Sequence, residues 1–181
     1  MPPLFFHKPT SPYGFLCQWH CAPFTDNATA ATFSSAEQYM MYRKAALFND
    51  SGSQAAILRT HEPRKQKSLG RKVQGFDADK WDEVKLAVVE QGNLLRFSQN
   101  PSLRAELLAT GGRELVEASP FDRVWGIGFG VHEALSVKRE EWGQNLLGEA
   151  LMRVRERLGR EERKELEKEE RGEGDREGEE E

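Results

Sequence analysis

Phe33-Ser34-Ser35-Ala36-Glu37-Gln38-Tyr39-Met40-Met41-Tyr42-Arg43-Lys44-Ala45-Ala46-Leu47-Phe48 reads as a helix with an uncommon face. Ser34 is the expected N-cap. Ser34-Ser35-Ala36-Glu37 has the form of an S-x-x-E capping box, in which the glutamate reaches back to the backbone N–H of the cap. Yet Glu37, Met41, Lys44 and Phe48 stand at i, i+4, i+7 and i+11 and share one side of the helix. Glu37 therefore has two readings. It is a capping residue, or it is a carboxylate held among apolar side chains, where partial desolvation makes it useful for chemistry. Asn49-Asp50-Ser51-Gly52 ends the helix.

Towards the N-terminus, residues 13–19 are rich in strand-favouring side chains between turn signals, and residues 25–32 form a polar loop. Towards the C-terminus a second helix is expected over residues 54–60, and a third after Glu62 with Pro63 in its first turn. Asp79 caps a longer helix whose apolar face is Trp81, Val84, Val88 and Leu95, and a short helix over residues 103–109 follows Pro101. Residues 115–119 and 124–129 read as strands, and residues 130–141 as a polar excursion. A last helix from Gln144 carries Leu147, Leu151, Val154 and Leu158 on one face. The expected fold is α+β: a mostly helical single domain, residues 1–158, around a small β-sheet.

The 181 residues carry 26 basic and 30 acidic side chains, a net charge of −4. Residues 159–181 hold 12 acidic and 6 basic residues and leave the body at +2. Their charge density, with Gly172, Gly174 and Gly178, predicts a disordered acidic tail, a candidate for a partner the sequence does not identify. A near-neutral body argues against a protein that binds nucleic acid by releasing counterions. No apolar run approaches the roughly 18 residues that cross a membrane, and the N-terminus is unlike a secretory signal. A cytoplasmic protein is expected, with the nucleus as the alternative.

Further candidates stand outside the first helix. Ser119-Pro120-Phe121-Asp122-Arg123-Val124-Trp125 sets a carboxylate just before an aromatic residue. Asp122 closes a turn or serves chemistry, and Trp125 fills the core or stacks on a ligand. Gly126, Gly128 and Gly130 allow close backbone approach but do not spell a dinucleotide fingerprint. Cys17, His20 and Cys21 have no second Cys/His pair at a suitable spacing, so no metal is expected. Arg64-Lys65-Gln66-Lys67 and Gly70-Arg71-Lys72 form the one concentrated basic region, a solvated face or a phosphate clamp with Arg71 able to bind bidentately.

Taken in order, these segments resemble the NADAR/YbiA-like family, which includes the riboflavin-intermediate N-glycosidases. The likeness is carried by Tyr13-Gly14-Phe15-Leu16, Phe33-Ser34-Ser35-Ala36-Glu37-Gln38-Tyr39-Met40, Leu69-Gly70-Arg71 and Leu115-Val116-Glu117-Ala118-Ser119-Pro120-Phe121-Asp122. Trp125-Gly126-Ile127-Gly128 and Asn145-Leu146-Leu147-Gly148-Glu149-Ala150-Leu151-Met152 complete it.

The resemblance implies hydrolysis of the N-glycosidic bond of phosphorylated early riboflavin intermediates, releasing ribose 5-phosphate. Some members instead remove ADP-ribose from guanine, so nucleic acid enters only as an ADP-ribosylated substrate; a non-catalytic nucleotide or ADP-ribose binding module is the remaining alternative. On this reading Glu37 and Asp122 are catalytic, Trp81 and Trp125 stack on the heterocycle, Lys44 and Arg71 bind phosphate, and no cofactor is needed. Two departures stand out: Leu16-Cys17-Gln18 replaces the family's frequent Leu-Ser-Asn, and the excursion at 130–141 is expected to reshape one wall of the site.

Overall fold

The central helix forms as α1, Ala36–Leu47, one residue later than expected. In this computed structural model, which describes residues 1–177 and their side chains as far as Arg171, α1 is buried on nearly all sides of its first two turns. Ser35, not Ser34, is the N-cap, its hydroxyl accepting from Gln38 N–H at 3.2 Å. The reciprocal bond is made by Gln38, whose Oε1 accepts from the Ser34 N–H at 2.7 Å. The capping device predicted for Glu37 is thus shifted by one residue. Gln38 also donates to the carbonyls of Ile57 at 3.0 Å and Thr60 at 2.9 Å, which joins the start of α1 to the end of α2.

The other helices pack around α1. Asp50 caps α2, Ser51–Leu58, by accepting from Ser53 N–H at 2.9 Å, so this helix starts earlier than expected. Pro63 opens α3, Pro63–Gly70, where its missing N–H costs nothing. Gly70 sits against α1, and a Cβ there would collide with the Met41 side chain, so glycine permits the close crossing of α3 over α1. Asp77, not Asp79, caps α4, Ala78–Gln99, and α5 covers Pro101–Ala109.

Two pairs of short strands complete the body, matching the expected α+β class with a small β component. β1, Leu4–Phe6, pairs in parallel with β4, Leu115–Glu117, in the register Leu4↔Leu115 and Phe6↔Glu117. β2, Phe24–Asp26, and β3, Ala31–Phe33, form an antiparallel hairpin within the segment expected to be a loop. The parallel pair matters more, because both strands end together and send their exit segments to the same place.

Two expected strands are absent among the described residues. Residues 14–16 form a 3-10 turn, with Leu16 and Cys17 N–H donating locally to Tyr13 and Gly14 carbonyls at 3.0 Å each. Tyr13 takes a positive φ of 57°, which breaks an extended run at its start. Residues 124–129 instead form an irregular loop spanning two neighbours. Ile127 N–H donates to Glu117 O at 3.0 Å, while Trp125 O accepts from Leu147 N–H at 3.1 Å. The excursion folds as the short α6, Val131–Ala134, and a 3-10 turn, Arg139–Glu141.

The last helix, α7, runs over Leu146–Glu177 and buries Leu147, Ala150, Leu151, Val154 and Leu158 against α4, α5 and β4. Gly148 lies so close to Leu115 O that a Cβ would collide with it. The helix continues as far as Glu177 through the segment expected to be disordered; residues 178–181 lie outside the described residues. From Glu162 to Arg171 every residue is exposed, and i,i+4 ion pairs such as Arg171–Glu167 rather than packing accompany the helix there. Such pairs are worth only a few tenths of a kcal/mol each.

A chain ending at Arg163 is therefore expected to melt within about 2 °C of the full chain, since 1 kcal/mol shifts the midpoint of a protein this size by about 2–4 °C. A fall of several degrees in differential scanning calorimetry would mean that residues beyond 163 stabilise the body.

Candidate active site

The carboxyl ends of β1 and β4 open onto a cavity of about 370 Å³. β1 leads into His7, Lys8 and Pro9, and β4 ends at Glu117 and leads into Ser119, Phe121, Asp122 and Trp125; all of these line the cavity. Opposite them stand Glu37, Met40 and Met41 of α1, and Arg64, Lys67 and Arg71 of α3 and its C-cap. Cys17, Gln18 and Trp19 supply the remaining wall.

That last segment has little regular structure and is held from beneath. Arg96 of α4 is fully buried and donates from Nη1 to Cys17 O at 3.0 Å. Asn93, one turn earlier, donates to Gln18 Oε1 at 2.8 Å. Gln18 O accepts the Glu37 N–H at 3.0 Å, so the segment is tied directly to the first turn of α1. Because Gln38 completes the cap, the Glu37 side chain is left for the cavity. It is only 6 % exposed.

The charges are segregated. Arg64, Lys67 and Arg71, at i, i+3 and i+7, form a basic wall, with Arg64 and Arg71 exposed at the rim and Lys67 half-buried. Facing it are three carboxyl groups. Burial pushes the Glu37 carboxyl up to about 7, with Asp122 adding repulsion and Lys67, the Trp19 indole N–H and Arg71 opposing the rise. Burial likewise pushes Glu117 up to about 8, reinforced by Asp122 and Glu37 and opposed by Lys67.

Asp122 does two things at once. Its Oδ1 accepts from the Val124 N–H at 3.0 Å and the Trp125 N–H at 2.8 Å, which shapes the turn, while its side chain also borders the cavity. Trp125 is half-buried, packed partly on the core and partly along the cavity. Phe121 stands at the rim and is 97 % exposed.

Of the six side chains proposed from sequence, Glu37, Arg71, Asp122 and Trp125 come together here. Lys44 and Trp81 do not. A separation of seven residues keeps Lys44 on the Glu37 side of α1 but carries it about 10 Å along the axis. There its ammonium lies 4.0 Å from the centre of the Phe76 ring and 5.9 Å from that of Trp81. Trp81 is 7 % exposed and belongs to the core.

The excursion at 130–141 lines none of the cavity; Ala134 and Trp142 pack with Val116, Ile127 and Phe129 elsewhere. Cys17 is buried and Cys21 exposed, and among the described residues no group of three or more His, Cys, Asp or Glu is placed to hold a metal ion. Both Cys17 and Gln18, the departures in the Leu16-Cys17-Gln18 segment, face the cavity.

Sequence reasoning did not single out Trp19, Lys67 or Glu117. Lys67 was legible as the middle member of a helical i, i+3, i+7 basic stripe. Glu117 was legible as a charge two residues from Leu115, hence on the same face of a short strand. Nothing local marked Trp19, which depends on Arg96 and Asn93 beneath its segment.

The NADAR domain profile matches residues 4–159. N-glycosidase R617 of Acanthamoeba polyphaga mimivirus is 41 % identical over 160 residues, covering 84 % of this chain and 94 % of that protein. Riboflavin biosynthesis protein VVA0006 of Vibrio vulnificus is 32 % identical over 156 residues, which are 86 % of this chain and 38 % of that longer protein. The solved structure of Escherichia coli YbiA is similar with a TM-score of 0.72 at 28 % identity, covering 89 % of this chain and 87 % of that one.

The buried carboxyls give a prediction with a definite sign. Glu37 and Glu117 have folded-state values raised above the ordinary 4.5. Between 4.5 and those values the folded protein holds protons that the unfolded chain releases, so stability falls as pH rises through that window. Relative to wild type, the double variant Glu37→Gln/Glu117→Gln is expected to gain at least about 1.4 kcal/mol between pH 4.5 and pH 8.5, the worth of one pKa unit. Parallel urea-denaturation stabilities for the two proteins across that range would contradict it.

Proposed function

The chain belongs to the NADAR domain family, and from that premise we propose that it is an N-glycosidase acting on phosphorylated early riboflavin-biosynthesis intermediates and releasing ribose 5-phosphate. The observation that carries this reading is the meeting of buried carboxyl groups and a basic wall in one cavity. The similarity to N-glycosidase R617 and to a riboflavin biosynthesis protein supports both the reaction and the substrate class.

The residues divide the substrate among them. Arg64, Lys67 and Arg71 meet the 5-phosphate, for which guanidinium groups offer paired donors. Trp125 and Trp19 offer flat apolar surfaces to the heterocycle, and Met40 and Met41 fill the space below. The ribose then lies between the basic wall and the aromatic side, over the carboxylates. Breaking its C1′–N bond builds positive charge on the sugar ring, which Glu37 and Asp122 stabilise. Glu37 takes a proton from the water whose oxygen bonds to C1′. Such a base works best when its pKa lies near the working pH, and burial brings Glu37 there.

The substrate is a small molecule made and consumed inside cells, so we place the protein in the cytoplasm. No helix among the described residues is long and apolar enough to cross a membrane. Any partner of the acidic tail would be additional to this chemistry.

Incubation of the purified protein with a ribosylaminopyrimidine 5′-phosphate is expected to yield ribose 5-phosphate, detected by mass spectrometry. Release of ADP-ribose from modified guanine in place of that product would move the substrate class. Glu37→Gln is expected to lower kcat at least about 100-fold, with the fold intact. Full activity in this variant would remove Glu37 from the chemistry. Trp125→Ala is expected to raise KM by about 5- to 100-fold, the equivalent of losing 1–3 kcal/mol of stacking. Unfolding of Trp125→Ala would instead assign that ring to the core.

A further inference from the structure

Both backbone groups of Glu117 are bonded to residues outside its three-residue strand pair. Its N–H donates to Asn145 Oδ1 at 2.9 Å, and its carbonyl accepts from Ile127 N–H at 3.0 Å. Asn145 is itself fixed, donating from Nδ2 to Leu115 O at 2.9 Å. The side chain thus enters the cavity from a backbone anchored on both sides. Its Oε2 is buried and has no hydrogen-bond partner among the described residues. A buried carboxylate oxygen without a donor is costly, whereas a protonated carboxyl can wait for an acceptor brought by a ligand.

We propose that Glu117 is the general acid of the N-glycosidase reaction, delivering its proton to the nitrogen that leaves C1′ while Glu37 accepts the proton of the attacking water. The assignment rests on the N-glycosidase reading. It answers a need that Glu37 leaves open, since an amine is a poor leaving group until it is protonated. Water's oxygen bonds to C1′, the C1′–N pair moves to nitrogen, and that nitrogen takes the Glu117 proton. Return of the proton from Glu37 to Glu117, through exchange with water, resets the site with one water consumed.

The surroundings assign the two roles in this order. Glu37 on α1, Asp122 on the exit loop, Lys67 on α3, Cys17 on the adjoining wall and His7 beyond β1 share the cavity with Glu117. Lys67 favours the Glu117 anion, while Asp122 and Glu37 oppose it. Glu37 has Lys67, Arg71 and the Trp19 N–H on its side and Asp122 against it. Glu117 thus has fewer groups favouring its anion than Glu37 has, which suits it to hold the proton. The differing surroundings fit Glu117 for the acid and Glu37 for the base. His7 is held towards its neutral form by burial and by Lys8, so it adds no cation to stabilise the Glu117 anion.

The test compares two leaving groups in wild type, Glu117→Gln and Glu37→Gln. One substrate is the ribosylaminopyrimidine 5′-phosphate. The other is 4-nitrophenyl riboside 5-phosphate, whose phenolate departs without a proton. Glu117→Gln is expected to lose at least about 100-fold in kcat/KM on the amine but less than about 5-fold on the nitrophenyl substrate. It should also lose the alkaline fall of the kcat/KM profile that wild type shows on the amine. Glu37→Gln should be impaired on both substrates. Equal losses on both substrates for Glu117→Gln, or no loss on either, would overturn the assignment while wild-type turnover left the N-glycosidase reading standing. A wild type inactive on both would overturn that reading, and the assignment with it.

Discussion

The hydrogen bonds of Gln38 are the constraint on which the site depends. A helix start must satisfy its free N–H groups, and the S-x-x-E pattern would spend Glu37 on that task. Ser35 and Gln38 perform it instead, and Gln38 goes on to bind the Ile57 and Thr60 carbonyls at the end of α2. Gln66 of α3 joins the same network, donating to Thr60 O at 2.8 Å. Two neutral amides thus fix α1, α2 and α3 relative to one another. The adjacent carboxylate is left for the cavity, with the basic wall of α3 set opposite it.

A second set of anchors brings the strand side of the cavity into place. Parallel pairing ends β1 and β4 at the same level, Asn145 clamps the backbone at Leu115 and Glu117, and Gly148 lets α7 lie directly against β4. The third wall rests on Arg96 and Asn93. Burying Arg96 without a carboxylate partner among the described residues lowers its pKa to about 10 through desolvation. That cost, like the cost of Glu37 and Glu117, is borne by the apolar packing of α1, α4 and α7 around Phe97, Leu107, Leu151 and Leu158. Stability is spent at the site and recovered in the core.

Helices were the legible part of this sequence, because a 3.6-residue period and a first-turn proline such as Pro63 are local signals. Their starts moved by one to three residues wherever a neighbouring Ser or Asp offered better geometry, as at Ser35 and Asp77. The aromatic runs at 13–19 and 124–129 looked like strands but found no ladder partner among the described residues; tertiary hydrogen bonds decided their form. The same division holds at the site. Glu37, Arg71, Asp122 and Trp125 lie in motifs readable in one dimension. Lys44 shared the helix face of Glu37 yet was displaced along the axis, and Trp19 and Glu117 became neighbours only when distant segments closed around them.

Burial in this cavity keeps two glutamate side chains from ionising in the ordinary range. Carbon-13 NMR of glutamate side-chain carboxyls, followed from pH 3 to pH 9, reads that property directly. Two resonances with late transitions are expected, at about 7 for Glu37 and about 8 for Glu117, each removed by the corresponding glutamine substitution. Transitions of every glutamate near the ordinary 4.5 would contradict this, because both carboxyls would then be ionised at neutral pH and neither could serve as the acid.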